Sequence, residues 1–420
     1  MIGALTSAAS QILEQQSGQV QAALTYGYPI YRVVVDGRDI TTDVVARLIS
    51  LTLTDNRGLE ADTLDIQLSD HDGLLSLPPK DASVRLWLGW SHSGLVDKGS
   101  FTVDEVEHSG APDVLTIRAR SADLRKGLAT KRERSWHSKT LGDIVTTIAK
   151  QYALQPLIDV ALAAIGLPHL DQAGESDLNL LSRLAQDNDA IASVKAGRLL
   201  MLPTGAAKSA SGLNLGHITL TRADGDQHRY VNANRDAYTG ARAYYYETNS
   251  AERKEAIAGS DENAKTLRTT FTDRASAERA ARAEWRRLQR GSDTLSYTLA
   301  KGRSELIPEL TYTVAGIKPT IDGIVWLGGN VVHNVTPEGY TGTLELTSQL
   351  PEDEELTGDG STTYTGVLAW YRDEKTGEQK KVTQGDQTNP KRLTHLYSSK
   401  ASATRAVERE WKRVQSGEQA

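Results

Sequence analysis

Hydrophobic and polar residues alternate along two long stretches of the chain, and this period of two predicts β-strands. The first stretch contains six such runs between Tyr28 and Ser121, separated by Gly, Asp and Pro. The runs are IYRVVVDG, RLISLTLTD, DTLDIQLSD, SVRLWLGW, SFTVDEVEHSG and VLTIRARS. Because no helical period lies between them, we expect residues 26–124 to form an antiparallel barrel or sandwich.

The period changes to that of a helix between residues 125 and 212. The segment TLGDIVTTIAKQY opens with the candidate N-cap Thr140, and SDLNLLSRLAQDNDA opens with the candidate N-cap Ser176. The first of these helices has one apolar face, formed by Leu141, Ile144, Val145 and Ile148. IASVKAGRLLMLP then predicts a hairpin, so we expect a helical, α+β middle domain.

A second set of strand-like runs occupies residues 213–350, which predicts a second barrel of similar size. This second region is interrupted at 237–291 by a segment with a different pattern of hydrophobic and polar residues. The sequences VEHSGAPDVLTI (106–117) and VVHNVTPEGYTGTL (331–344) resemble each other faintly, in the order Val, His, Pro, acid, Thr. This similarity suggests that the two strand regions are related.

The interrupting segment is repeated near the end of the chain. Residues 237–291 align without a gap with 363–417, and 21 of the 55 positions are identical. Each copy predicts two strands, a third strand and a helix, which makes a small β-β-β-α module. Two further segments are assigned more loosely: 1–25 as an N-terminal helix or tail, and 351–362 as an acidic linker.

The ends of the module helices carry recognisable capping residues. Asp273 and Ser399 occupy matching positions as candidate N-caps. Gly291 and Gly417 stand where left-handed C-caps are expected. The matching Trp285 and Trp411 are assigned to packing against the small sheet.

Composition excludes several classes of partner and chemistry. The formal net charge is −6, so a basic surface for nucleic acid or anionic membrane is not expected. The chain has no cysteine, which excludes disulfides and thiolate chemistry and suits synthesis in the cytosol. No apolar run approaches the 18 residues that span a membrane, and no signal peptide is recognised at the N-terminus.

No catalytic, cofactor-binding or metal-binding motif is found. DHDG (70–73) and ADGD (223–226) resemble fragments of calcium loops but lack the further acidic ligands. His217 and His228 are eleven positions apart and are judged unrelated. Glu105 and Glu107 alternate with valines, which indicates a solvated strand face, although paired carboxylates of a glycosidase are assembled in space and stay open. RKGLATKRER (125–134) is assigned to a solvated connection, with contact to nucleic acid or an acidic partner as the alternative.

Several segments together resemble the phage late control protein D family, the baseplate hub proteins of contractile tails. They are FTVDEVEHSGAPDVLTIRARSADL, KRERSW followed by TLGDIVTTIAKQY, ESDLNLLSRLAQDNDA, and YTGVLAWYRDEKTGE with its Trp-bearing helix. The resemblance runs from about Tyr28 to Gly417 and does not include the first 25 residues.

The resemblance implies a mainly β, α+β fold with two tail-tube-like antiparallel barrels. It implies a homotrimeric hub that joins the hexameric tail tube protein to a trimeric central spike protein, with tape-measure and baseplate wedge proteins as further partners. DNA would pass through the channel without specific binding. The expected location is the baseplate of the virion tail, assembled in the cytoplasm of the bacterial host.

Such an adaptor needs complementary surfaces and no reactive group, because a three-fold ring with two similar barrels per subunit presents six similar surfaces. We therefore expect no enzyme, no cofactor and no membrane anchor. Two alternatives are a tail-associated peptidoglycan hydrolase and the hub of a tail-like bacteriocin or secretion particle.

Overall fold

The structure, a computed structural model, describes residues 27–121, 127–195, 197–205, 216–233, 238–247, 252–349, 366–372, 379–386, 390–397 and 399–416. These residues are mostly β and form two compact units, one within 27–349 and one within 366–416. The predicted N-terminal helix or tail (1–25) and the acidic linker (351–362) lie outside the described residues.

The first strand region follows the predicted runs closely. Its elements are β1 (Pro29–Val35), β2 (Arg38–Asp39), α1 (Thr41–Arg47), β3 (Leu48–Asp55), β4 (Thr63–Ser69), β5 (Ser83–Trp90), β6 (Gly94–Ser109) and β7 (Val114–Ser121). The expectation that no helix interrupts this region was wrong at α1, which is short and buries only Val44. One buried side chain is too few to produce a helical period in the sequence.

The middle region is α+β, as expected, but contains more strand than the sequence suggested. Its elements are β8 (Lys131–Thr140), α2 (Leu141–Gln151), β9 (Gln155–Ile158), α3 (Val160–Ala163), β10 (Gly166–Ser176), α4 (Asp177–Asp187), β11 (Ala190–Lys195) and β12 (Arg198–Pro203). The basic run is therefore not a connection from residue 131 onward, because β8 pairs with β10 along its length. The predicted hairpin of β11 and β12 is confirmed.

Both predicted N-caps of the middle domain are confirmed. The Thr140 hydroxyl accepts the Asp143 N–H at 3.1 Å, and the Asp143 carboxylate accepts the Thr140 N–H, which completes a capping box. The Ser176 hydroxyl accepts the Asn179 N–H at 3.2 Å. Helices α2 and α4 bury their apolar faces in one core with β11 and β12.

The second strand region contains the first module as an insertion. The elements are β13 (His217–Thr221), β14 (Gly225–Asn232), then β15 (Gly240–Glu247), β16 (Glu252–Gly259), β17 (Ala264–Phe271) and α5 (Arg274–Arg290) of the module, then β18 (Asp293–Leu299), β19 (Thr311–Ala315), α6 (Pro319–Asp322), β20 (Val325–Thr336) and β21 (Gly339–Ser348).

The strands of both regions belong to one sheet of 13 strands, in the order β14-β18-β21-β20-β3-β4-β7-β6-β5-β1-β2, with β13 and β19 branching from β20. The two expected barrels are therefore continuous with each other, because β3 and β20 pair antiparallel from Leu51/Val335 to Asp55/Val331. No pairing among the described strands closes either region into a barrel.

The four strands on either side of this junction have the same arrangement. In the first half, Ile117 of β7 pairs with Ile66 of β4 and Val106 of β6; in the second half, Leu344 of β21 pairs with Tyr297 of β18 and Val331 of β20. Strand β3 pairs antiparallel with β4, just as β14 pairs antiparallel with β18. The faint sequence similarity of 106–117 and 331–344 therefore marks two equivalent hairpins.

Irregularities of the sheet recur at equivalent places, which excludes a chance match of regular strands. The β3–β4 pairing shifts between Leu48 and Ser50, and the β14–β18 pairing shifts between Gly225 and Gln227. Bulges also occur in β6 between Val103 and Glu105, and in β20 between Gly328 and Val331. At the second bulge a Cβ on Gly329 would lie 2.9 Å from the Glu345 carbonyl oxygen, so glycine is required there.

Both module copies form a three-stranded sheet covered by a helix. In the first copy, β15 pairs antiparallel with β16 and parallel with β17, and α5 packs its Ala277 and Ala281 on this sheet. The Asp273 carboxylate caps α5 by accepting the Ser276 N–H at 2.9 Å. The predicted left-handed C-cap was wrong, since Gly291 has φ −78° and continues the right-handed turn.

The second copy repeats these pairings in β22 (Gly366–Arg372), β23 (Gln379–Gly385), β24 (Pro390–Tyr397) and α7 (Lys400–Ser416). The Ser399 hydroxyl accepts the Ser402 N–H at 3.3 Å and caps α7 as predicted. Ala403 and Val407 pack on the sheet with the half-buried Trp411. Gly417 lies outside the described residues.

Candidate functional site

One face of the large sheet is predominantly polar across its eight central strands. Because side chains alternate along each strand, residues opposite one another in neighbouring strands share a face. On the eight central strands the polar face carries Gln227, Arg229, Val231, Thr294, Ser296, Thr298, Thr343, Glu345, Thr347, Val332, Asn334, Ser50, Thr52, Thr54, Thr63, Asp65, Gln67, Thr116, Arg118, Arg120, Glu105 and Glu107. Threonine and serine are its largest class of side chain, and the opposite face holds the two apolar cores.

The charged groups on this face largely neutralise each other. The Arg118 guanidinium lies 2.7 Å from Glu105, 3.1 Å from Glu107 and 3.3 Å from Asp65. Arg120 pairs with Asp104 at 3.1 Å. The expected solvated face at Glu105 and Glu107 is thus observed, and both carboxylates share one cation.

A buried polar cluster joins the two halves of the sheet on the opposite face. The Lys98 ammonium donates to Asp55 Oδ2 at 2.9 Å, to His333 Nε2 at 2.9 Å and to the Leu306 carbonyl at 3.3 Å. His333 Nδ1 lies 2.8 Å from the Tyr340 hydroxyl. Lys98 and Asp55 belong to the first half of the sheet, and the other groups belong to the second half. The cluster therefore connects the two halves where β3 pairs with β20, a junction that we call the seam.

The pKa values of Asp55 and His333 are set by burial and by their contacts within the cluster. Burial alone would raise the pKa of Asp55, but the contact with His333 and the charge of Lys98 outweigh burial and hold this pKa below its usual value. Burial, together with the nearby Lys98, lowers the pKa of His333. The cluster is therefore one cation, one anion and a neutral imidazole, all within the core.

Further contacts flank the cluster along the seam. The Trp90 indole N–H donates to the Gly302 carbonyl at 2.7 Å, and its ring stacks on Tyr340 with centroids 5.7 Å apart. Arg57 forms an ion pair with Glu309, and its backbone N–H donates to Asn330 Oδ1 at 2.8 Å. These pairs again connect one half with the other.

The middle domain contains a second buried carboxylate. Asp177, at the start of α4, is fully buried and accepts from Tyr152 at 2.7 Å, Gln172 at 2.8 Å and Arg134 at 3.0 Å, with Arg132 at 3.2 Å. Two arginines of the basic run, Arg132 and Arg134, therefore neutralise a buried acid. This contact accounts for them without a nucleic-acid surface.

The first module packs on the middle domain through helices α4 and α5. Arg290 of α5 forms a largely buried ion pair with Asp189. A cleft of about 300 Å³ lies beside this contact, lined by residues that include Arg183, Asp187 and Glu284. Burial raises the pKa of Asp187 to about 6.

The candidate calcium fragments are ordinary turns. Asp72 is bound by Arg47 at 2.6 Å, and Asp70 accepts the Leu75 N–H at 3.0 Å. Asp224 accepts the Thr221 N–H at 2.8 Å. In the part of the chain that the structure describes, no group of three or more His, Asp or Glu side chains is arranged to hold a metal.

The histidines singled out in the sequence are separate, since His217 contacts Thr311 and Thr313 whereas His228 lies on β14. None of the described helices is long and apolar enough to cross a membrane. The seam cluster is not recognisable in the sequence, although the Val-x-His shared by the two hairpins marks the strand that carries His333.

The fold and the two-half sheet define the class of protein. Residues 50–338 match the family model of the phage tail baseplate hub (GPD), and the chain belongs to this family. It is 44% identical over 367 residues to the probable baseplate hub protein of Escherichia phage 186, covering 78% of this chain and 94% of that protein. It is 42% identical over 371 residues to the probable baseplate hub protein of Escherichia phage P2, covering 79% and 96%.

Solved structures share the fold at low sequence identity. The tail protein from Neisseria meningitidis MC58 superposes with a TM-score of 0.57 at 14% identity, covering 76% of this chain and 96% of that chain. The 43 kDa tail protein of prophage MuSo2 from Shewanella oneidensis gives 0.56 at 11%, covering 76% and 98%. The family match and the two relatives from phages 186 and P2 identify the protein as a structural hub component of a phage tail baseplate, as the sequence resemblance predicted.

Proposed function

We propose that the protein is a non-catalytic adaptor, a homotrimer that joins the six-fold tail tube to the three-fold central spike. The observation that carries this proposal is the equivalence of the two four-stranded halves within one chain. Three chains then present six similar half-sheets toward a hexameric tube protein, while whole subunits keep three-fold symmetry toward a trimeric spike protein.

The polar sheet face is proposed to line the channel of this trimer. Duplex DNA is held mainly by cations that neutralise its phosphates. Of the three arginines on this face, Arg118 is bound by three carboxylates and Arg120 by Asp104, which leaves only Arg229 to attract phosphates. Threonine and serine hydroxyls offer no fixed charge, so DNA would pass without being retained. The predicted barrels would close only in the trimer, since the strands of one chain form an open sheet.

The module copies are the candidate contacts for baseplate wedge proteins or neighbouring subunits. The first is fixed to the middle domain by α5, and the second forms a compact unit of its own. Assembly in the host cytoplasm, and contact with a tape-measure protein, are part of the same proposal. No cofactor is needed for any of these roles.

Electron microscopy of the purified protein, averaged without imposed symmetry, tests the proposal. Rings with a central hole and a three-fold, nearly six-fold outline are the expected result. If only compact particles without a hole appear, the protein is co-expressed with the spike protein of the same phage to see whether a trimer forms on the spike. The adaptor role is rejected if neither preparation contains a trimer.

A further inference from the structure

Two histidines lie side by side on the surface of the middle domain. His137 of β8 and His169 of β10 are directly opposite each other in the antiparallel pairing of these strands. Their Nδ1 atoms are 3.1 Å apart, and their rings stack with centroids 4.7 Å apart. The rings therefore approach each other most closely at two nitrogens, and an imidazole nitrogen is the commonest metal ligand in proteins.

A carboxylate fixes the tautomer of one ring. The Nε2 of His169 lies 3.0 Å from Asp171 Oδ2, and the Ser135 hydroxyl donates to the other carboxylate oxygen at 2.7 Å. Because an ionised carboxylate only accepts hydrogen bonds, Nε2 of His169 carries the proton and its Nδ1 presents a lone pair. Histidines that bind metals almost always donate their other ring N–H in this way, which fixes the orientation of the ring.

The hairpin of β8 and β10 holds these groups on one face. Ser135 and Asp171 are opposite each other, two residues along the strands from the histidine pair, and so they share its face. The pair between them, Trp136 and Leu170, faces the other way and packs in the core of the middle domain. The two rings therefore stand on a rigid support, as a binding site requires.

The spacing of the two nitrogens matches that of two ligands on one ion. Zn²⁺ binds imidazole nitrogen at about 2.0–2.1 Å, so two such nitrogens are about 2.9 Å apart at a right angle and about 3.3 Å apart at the tetrahedral angle. The observed 3.1 Å lies between these values. Without an ion, His137 donates its Nδ1–H to His169, and metal binding would move that proton to Nε2 of His137.

We propose that His137 and His169 form a surface site for one transition-metal dication of the Zn²⁺, Cu²⁺ and Ni²⁺ class, with Asp171 orienting His169. Imidazole suits these ions, whereas Mg²⁺ and Ca²⁺ prefer oxygen ligands. The two rings supply two coordination positions. Water fills the others, because His137 is exposed and the side chain of His169 is 40% exposed. The site goes beyond the adaptor role and does not depend on it.

Titration calorimetry of the full chain, purified without a polyhistidine tag, measures the site. We expect one strong site per chain for Cu²⁺, weaker binding of Ni²⁺ and Zn²⁺ at the same place, and no binding of Mg²⁺. Electron paramagnetic resonance of the bound Cu²⁺ should show two coordinated imidazole nitrogens. His137→Gln/His169→Gln should abolish the strong site and this signal.

The role of Asp171 has its own pair of variants. Asp171→Ala should weaken Cu²⁺ binding by about 10–100-fold, the usual cost of removing the partner of a ligating histidine. Asp171→Asn should lose less, since its amide oxygen still accepts the His169 N–H. Equal affinity in the wild-type protein and in Asp171→Ala would show that Asp171 does not position the ligand.

His217→Gln/His228→Gln is the matched control, because it removes two histidines from separate strands, β13 and β14. It should keep the strong site. The test substitutions are at partly exposed side chains, and urea unfolding without metal checks that they leave the fold intact.

Two results would overturn the proposal. One is a wild-type protein without a strong Cu²⁺ site, which would mean that the pair is only an N–H···N hydrogen bond between β8 and β10. The other is Cu²⁺ binding that survives in His137→Gln/His169→Gln, or that is lost equally in the control. Neither result bears on the trimeric adaptor, which electron microscopy tests separately.

Discussion

His108 and His333 occupy equivalent positions in the two halves of the large sheet, yet only His333 is buried, with its Nε2 2.9 Å from the Lys98 ammonium. His108 is partly exposed, and its Nε2 lies 3.2 Å from Asp70. The difference arises because strand β3 covers the edge that carries His333. A polar group on a sheet edge thus becomes part of a buried cluster once a neighbouring strand arrives.

We expect Lys98→Met to reduce the free energy of unfolding by about 3–5 kcal/mol, because it leaves Asp55 and His333 buried without their cation. Denaturant unfolding measures this. Arg303→Met is the matched control: its pair with Glu305 is exposed, so the loss should stay below about 1 kcal/mol. The double variant Lys98→Met/Asp55→Asn should recover part of the loss. A Lys98→Met protein as stable as the control would show that the cluster does not stabilise the seam.

Acidification should weaken the seam in two steps. The pKa of His333 is lowered by burial and by Lys98, so the unfolded chain takes up this proton first, and the free energy of unfolding falls as the pH drops below about 6.5. The pKa of Asp55 is also lowered on balance, so a further loss follows below about pH 4. Unfolding measured between pH 8 and pH 3 should show both.

His333→Gln should flatten the profile between pH 5 and pH 7 and keep the acid step. His71→Gln, in an exposed turn, is the control and should leave the profile unchanged. A wild-type profile that is flat from pH 7 to pH 5 would contradict the assignment of the first step to His333.

Local patterns were enough to predict most elements of the large sheet. Strands such as Thr63–Ser69 alternate strictly between buried and half-buried residues, and Thr140, Ser176, Asp273 and Ser399 cap helices as their residue types suggest. The short helix α1 and the paired strands β8 and β10 were not predicted. Strand β8 carries many charged residues because its arginines contact the buried Asp177, so it lacks a simple apolar alternation.

The seam could not be predicted, because its members are far apart in sequence and meet only through the β3–β20 pairing. Nothing in the neighbourhood of Lys98 distinguishes it from an exposed lysine until His333 is placed against it. The equivalence of the halves was visible only in one hairpin. The insertion of the first module between β14 and β18 hides the correspondence of DTLDIQLS with DTLSYTLA. The sequences of β4 and β18 can be compared only after the two strands have been matched by their hydrogen-bonded neighbours.

Asp187→Asn should stabilise the contact between the middle domain and the first module at neutral pH. Burial raises the pKa of Asp187 to about 6, so the folded protein binds this proton more tightly than the unfolded chain. Its free energy of unfolding therefore falls as the pH rises from about 4 to 6, and the penalty persists above pH 6. The variant should gain about 1–3 kcal/mol at pH 7.5 and nothing at pH 4.

Urea unfolding at the two pH values checks this, with Glu60→Gln in an exposed loop as the control. Equal effects of Asp187→Asn at both pH values would show that the change acts through packing and not through ionisation.

The polar sheet face should become a DNA-binding surface when cations are added to it. Gln67 and Thr298 are equivalent residues of the two halves, so Gln67→Lys/Thr298→Lys would place six lysines around the channel of the proposed trimer. We expect the wild-type protein to retain no duplex DNA at 150 mM salt. The variant should bind DNA with an affinity that falls by about 10³-fold between 50 and 200 mM salt.

Fluorescence anisotropy with a labelled duplex measures both proteins. Ser93→Lys/Thr147→Lys adds the same charge at exposed positions outside the polar face and is the control. Strong binding by the Gln67→Lys/Thr298→Lys variant alone would agree with a channel that DNA enters. Equal binding by both variants would mean that net charge decides the interaction, and the polar face would lose its special role.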